Sequence, residues 1–167
     1  MDGCQQAPDT PDVSPSLGNK FPFFGSYDHS IDGKGRIIIP NAYRKPLGES
    51  FTLTVDLDDC AIAIYPDVAF ERMVEELFAM NRRKPMVQKQ QDHIAKFSYP
   101  SLQADSQGRV LLPVKLRQYV LGDAKDVEIS GALDHVRIVA SSSAQESDRF
   151  YQENRQEILN AIGEMED

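Results

Sequence analysis

The sequence predicts an α+β fold, mainly β, made of two tandem copies of one unit in a pseudo-twofold arrangement, with connecting and C-terminal helices. Three observations predict it. The stretch "DGKGRIIIPNAYR" at Asp32–Arg44 returns, seventy-three positions later, as "DSQGRVLLPVKLR" at Asp105–Arg117, with five of thirteen positions identical. Each copy is followed by two strand-like runs, "FTLTV" and "CAIAIY" after the first and "DVEIS" and "HVRIV" after the second. A helix-forming stretch lies between the copies. Two copies are too few for a solenoid. They suit a pair of halves in which each completes the other's sheet.

The elements follow in order. Residues 1–20 read as a disordered leader, rich in Pro and Gly and poor in large apolar side chains. Residues 21–66 form the first repeat. In "FGSYDHSI", Tyr27, His29 and Ile31 alternate with polar neighbours, which predicts a strand entering the first turn. "RIII" is a β-branched run that ends at Pro40, and its lack of polar alternation predicts a strand covered on both faces. "PNAYRK" suits one helical turn with Pro at its start. "DLDD" is a turn between the two strands that follow, with Cys60 placed at the head of the second and Pro66 closing it.

Residues 67–98 are a helical connector. "DVAFERMVEELFAM" carries a stripe through Val68, Met73 or Val74, Leu77, Phe78 and Met80, with Asp67 as its expected cap and "NRRK" as its cationic end. The stripe reads as core or subunit interface. "MVQKQQDHIAKF" is a second helical stretch. Residues 99–140 form the second repeat. Residues 141–167 are an acidic helical tail, weakly amphipathic through Phe150, Ile158, Leu159 and Ile162.

Composition narrows the function. The 167 residues carry 41% hydrophobic side chains, enough for a core, and a net charge of -8. The acidity sits at the ends. Residues 1–20 hold three acidic and one basic residue, and residues 141–167 hold seven and two, leaving sixteen and fifteen between them. A local basic face can therefore still arise by arrangement. No apolar run approaches the roughly 20 residues of a membrane span, and the N-terminus lacks the pattern of a secretory signal. A cytoplasmic protein is expected. Cys4 and Cys60 have no CxxC partner and His29, His93 and His135 are scattered, so neither a disulfide framework nor a metal site is expected. No cofactor or small-molecule substrate is called for.

The repeated motif carries the chemistry. Gly35 and Gly108 sit where a tight turn needs a positive φ angle. Asp32 and Asp105 can accept backbone N–H bonds and hold each turn closed. Arg36 and Arg109 then leave a rigid sheet edge, free to make bidentate contacts with phosphate or a guanine edge. Lys34 and Gln107 point from the same turns, and Arg44 and Arg117 return after the prolines. The plainer alternative pairs each arginine with its own aspartate as a structural contact. The duplication favours the binding reading. Enzyme readings fare worse. The turn lacks phosphate-loop spacing, no Ser or Cys has a nucleophile's context, and Asp56, Asp58 and Asp59 lack the Gly and final Glu of a calcium loop.

These paired stretches resemble the DxxGR motifs of the MraZ family, within the AbrB/SpoVT-like swapped-hairpin group. "FFGSYDHSIDGKGR" is similar to that family's opening and "DVEISGALDHVRIV" to its closing hairpin, so the resemblance runs from about Phe24 to about Val139. It implies two AbrB-like halves forming a pseudo-twofold β-barrel. It also implies a sequence-specific, nucleoid-associated transcriptional regulator of the division and cell-wall gene cluster. Such a protein would form a ring-like homo-oligomer and read short direct repeats in double-stranded DNA. Arg36 would be the leading contact, supported by Lys34 and Arg44, with Gln107, Arg109 and Arg117 their equivalents. The sequence departs from the family in its leader, in the stretch before the second motif and in "VASSS" after the final hairpin. The competing expectation is a ring-forming interaction scaffold that binds no DNA, which the charge of -8 favours.

Overall fold

The computed structural model describes residues 20–165. The leader expected over residues 1–20 therefore lies outside the described residues, apart from Lys20. The strands are β1 (Ser26–Ser30), β2 (Arg36–Ile38), β3 (Phe51–Val55), β4 (Ile62–Pro66), β5 (Tyr99–Leu102), β6 (Arg109–Leu111), β7 (Asp126–Gly131) and β8 (Val136–Ala140). The helices are α1 (Asn41–Leu47), α2 (Asp67–Ala79), α3 (Pro85–Lys96), α4 (Val114–Leu121) and α5 (Ser141–Met165).

Six strands form one antiparallel sheet in the order β1-β7-β8-β4-β3-β5, and β2 and β6 form a separate two-stranded ribbon. The order reads the same from both ends once the repeats are exchanged. Hairpin β3–β4 takes β5 on its outer edge, and hairpin β7–β8 takes β1. Each half thus receives the strand that precedes the other half's turn. The two hairpins meet at β4–β8, where Ala63 faces Arg137, and the ribbon is centred on Ile37 facing Val110. Both pairs lie on the pseudo-twofold axis. The hydrogen-bonded order is open: β1 and β5 end the sheet and do not pair with each other.

Burial explains the arrangement. Every residue of β3 is buried, including Thr52 and Thr54. Two side-chain partners compensate these hydroxyls: Asp67 accepts from Thr52, and Thr54 bonds Ser98 at 2.8 Å. Ile37 and Val110 of the ribbon, with Ile39 and Leu112 just after its strands, point inward and join Leu53, Ile64, Ile129 and Ile138 in one core. Tyr43 of α1 is also buried. Its hydroxyl donates toward the carbonyls of Phe24 and Gly25 at 2.8 and 2.7 Å, its ring meets Phe23 and Tyr27 edge-on, and burial pushes its pKa up to about 12.

Four expectations need correction. The "RIII" strand is not covered on both faces, because Ile38 is 44% exposed on the ribbon's outer side. Cys60 lies exposed in the turn before β4, not in the strand. Asp67 does not cap α2: Pro66 holds the cap position, and the Asp67 carboxylate accepts from Ser50 at 2.5 Å. That helix stops at Ala79, short of the cationic "NRRK", and of its stripe Leu77 is buried while Val68, Phe78 and Met80 stay exposed. The tail forms one long helix, α5, of which only Ala144 is buried. No helix among the described residues is long and apolar enough to cross a membrane.

Candidate functional site

The two turns have one geometry. Oδ1 of Asp32 accepts the N–H groups of Lys34 and Arg36, each at 2.9 Å, and Oδ1 of Asp105 accepts those of Gln107 and Arg109, each at 2.9 Å. The Gly35 N–H closes the first turn onto the Asp32 carbonyl at 3.0 Å, and Gly108 does the same onto Asp105 at 2.9 Å. The glycines hold φ of +80° and +79°, where a side chain would be strained. The sequence expectation for Asp and Gly is met in both copies.

The arginines are less free than expected. Nε of Arg36 donates to Oδ2 of Asp32 at 2.8 Å, and Nε of Arg109 donates to Oδ2 of Asp105 at 2.7 Å. So the plainer pairing is present. It does not consume the side chain: the two terminal nitrogens of each guanidinium make no hydrogen bond among the described residues. The contact fixes the direction in which the fork points. The backbone N–H of Arg36, and then its guanidinium, hold the Asp32 carboxyl below its ordinary range, and Arg109 does the same for Asp105. Both carboxylates are therefore charged at neutral pH.

Arg44 and Arg117 cross over. The Arg44 guanidinium lies against Gly108 of the other half's turn, and Arg117 lies against Gly35. A Cβ on Gly35 would stand 2.8 Å from Nη1 of Arg117, and one on Gly108 would collide with the Arg44 guanidinium. Arg44 also donates from Nε to the Ile39 carbonyl at 3.0 Å and from Nη2 to the Gln107 carbonyl at 3.4 Å. Glycine therefore serves two ends here, the positive φ and the close approach of a guanidinium. The DxxGR spacing alone does not reveal this exchange, because the partner lies in the other repeat.

The ribbon joins these parts. Arg36 faces Leu111 and Ile38 faces Arg109, so strand alternation puts all four on the outer face, with the inward residues anchored in the core. Lys34 and Gln107 stand exposed on the turns at either end. Sequence reasoning missed Ile38 and Leu111 as surface residues. The signal was the alternation hidden inside an all-apolar run.

A second polar group lies at the tips of the two hairpins. Asp56 is buried and accepts from Nε2 of His135 and Nη1 of Arg137, both at 3.0 Å, while Nδ1 of His135 pairs with Asp134 at 2.7 Å. Burial alone would lower the His135 pKa, but its bonds to Asp56 and Asp134 outweigh burial and raise it. His93 and Tyr119 both bond Asp59 on the same turn. Among the described residues no cluster could hold a metal ion.

The fold and its turns define a class: a two-repeat protein that exchanges strands between its halves and presents a pair of Asp-braced arginines on one ribbon. The comparisons with known proteins give the particular family. Residues 23–92 match the family described as "MraZ protein, putative antitoxin-like". The chain is 37% identical over 142 residues to a protein of Lachnoclostridium phytofermentans, covering 85% of this chain and 96% of that one. It is 39% identical over 119 residues to a protein of Acetivibrio thermocellus, covering 70% and 79%, and 38% identical over 119 residues to one of Desulfitobacterium hafniense, also covering 70% and 79%. All three carry the name Transcriptional regulator MraZ. This chain belongs to the MraZ family.

Proposed function

We propose that this protein is a sequence-specific transcriptional regulator that reads short direct repeats in double-stranded DNA upstream of the division and cell-wall gene cluster. One observation carries the reading: Arg36 and Arg109 stand on the same outer face of the β2–β6 ribbon, each held at a fixed angle by its own aspartate. A two-stranded ribbon fits the major groove, and an arginine fork is the commonest reader of guanine there. The names of the relatives support the same reading.

Roles divide by geometry. Arg36 and Arg109 contact bases, Lys34 and Gln107 contact the backbone or the neighbouring base, and Arg44 and Arg117 brace the opposite turn while their remaining donors face the phosphates. The two repeats, residues 21–66 and 99–140, act as one barrel-like unit, and several protomers assemble in a ring. Linked weak contacts then combine on repeated sites.

Electrophoretic mobility shift tests this with a probe carrying short direct repeats from the DNA upstream of the protein's own gene and a scrambled control. The repeats should be shifted and the scrambled probe should not. The shift should weaken steeply with added salt, because phosphate contacts release counterions. Absence of any shift at low salt would favour the scaffold reading, a ring that binds a protein partner instead.

A further inference from the structure

The ribbon's outer face holds two residues that arginine chemistry does not use. Ile38 is 44% exposed and Leu111 is 58% exposed. Single exposed aliphatic residues are ordinary on a protein surface. These two are not placed singly. They occupy equivalent positions in the two motifs, and each lies directly across the ribbon from an arginine, Leu111 from Arg36 and Ile38 from Arg109. Their chain neighbours, Ile37, Ile39, Val110 and Leu112, already fill the core side, so the core does not call for them.

We infer that Ile38 and Leu111 read thymine by packing against its C5-methyl group in the major groove. The inference rests on the DNA-reading function proposed above. The major groove shows a methyl at every thymine, and apolar side chains are the groups that recognise it. Directly opposed residues of an antiparallel pair have Cβ atoms about 5 Å apart, while stacked bases rise about 3.4 Å per step. An aliphatic side chain opposite a guanine-bound arginine therefore lies over the first or second base pair beside that guanine. The ribbon reads a guanine and a nearby thymine together, once from each half. Isoleucine in one half and leucine in the other make the two readings similar but not identical.

The test uses the full-length protein and the direct-repeat probe, with thymines replaced one at a time by deoxyuridine, which lacks only the methyl group. Wild type is expected to lose about fourfold in affinity at one or two thymines beside a guanine in each repeat. An I38A/L111A variant is expected to bind the thymine and uridine probes alike. The double variant Ile38→Ser, Leu111→Ser, whose side chains carry no methyl group, repeats the comparison at two exposed positions with little risk to folding. If wild type binds the repeats but ignores every methyl, the inference fails and the arginine reading stands. If the variants remain as sensitive to the methyl as wild type, the inference also fails. If wild type binds no probe, both fail.

Discussion

The turns and the hairpin tips are both duplicated, yet only the turns have stayed alike. The two Asp-braced turns match bond for bond. The tips do not: six residues, 56–61, join β3 to β4, whereas four, 132–135, join β7 to β8. The longer loop carries Asp56, Asp58 and Asp59. It reaches His135 and Arg137 on one side and His93 and Tyr119 on the other. The shorter one is zipped to the opening segment through Phe23 and Leu133, which exchange two backbone bonds at 3.1 Å. A turn closed by its own Asp and Gly makes its bracing bonds within five residues, so two copies can stay the same. A hairpin tip takes its partners from whatever packs beside it, and the two tips have different neighbours.

Substitutions at the tips and at the turns should differ in their effect on stability. The largest effect is expected at the end of β7, where the shorter tip begins. A Cβ on Gly131 would overlap the backbone of Phe23 and Phe24, which cannot step aside as a flexible side chain can. Gly131→Ala should cost about 3 kcal/mol in denaturant unfolding. An unchanged midpoint would mean that the opening segment is not held there.

Next comes the buried histidine. His135→Gln leaves Asp56 short of a charged donor and should cost about 2 kcal/mol. The sign of its pH dependence follows from the raised pKa. Stabilisation by the wild-type imidazolium is complete below the ordinary value of 6.5 and is lost as pH rises through the folded-state value. Wild-type Tm should therefore fall relative to the variant as pH is raised from below 6.5 through the folded-state value. A constant gap between the two would refute the charged pairing.

The smallest effect on stability is expected at the turns. Asp32→Asn keeps an acceptor for the backbone but loses the ion pair with Arg36, which is partly exposed and so weakly stabilising. Tm should hardly move, while affinity for the repeat probe should drop a few-fold because the guanidinium is no longer aimed. A large loss of Tm would make the turn a stability element instead.

The same contrast decides what was legible in sequence. The bracing of the turns by Asp and Gly could be read, because those bonds close within five residues; the sequence left open whether each arginine also pairs with its own Asp. Strands β3, β4, β7 and β8 were legible from their apolar runs and bounding turns. The exchange of β1 and β5 was foreseen as halves completing each other, since one hairpin alone leaves edges unpaired. What depends on distant neighbours was not legible. The crossing of Arg44 and Arg117 to the opposite turns and the removal of Asp67 from its capping role by Ser50 both follow from tertiary placement.

The proposed function requires the two braced arginines to act as a DNA-reading pair. It is tested most directly by fluorescence anisotropy of the labelled repeat probe with wild type, Arg36→Ala, Arg109→Ala and the double variant. Melting curves and assembly state are measured on the same samples. Each single variant should bind at least tenfold more weakly, and the double variant should lose specific binding, with Tm and assembly unchanged. A double variant that binds the repeats as tightly as wild type would contradict the account and leave both arginines as structural partners of Asp32 and Asp105.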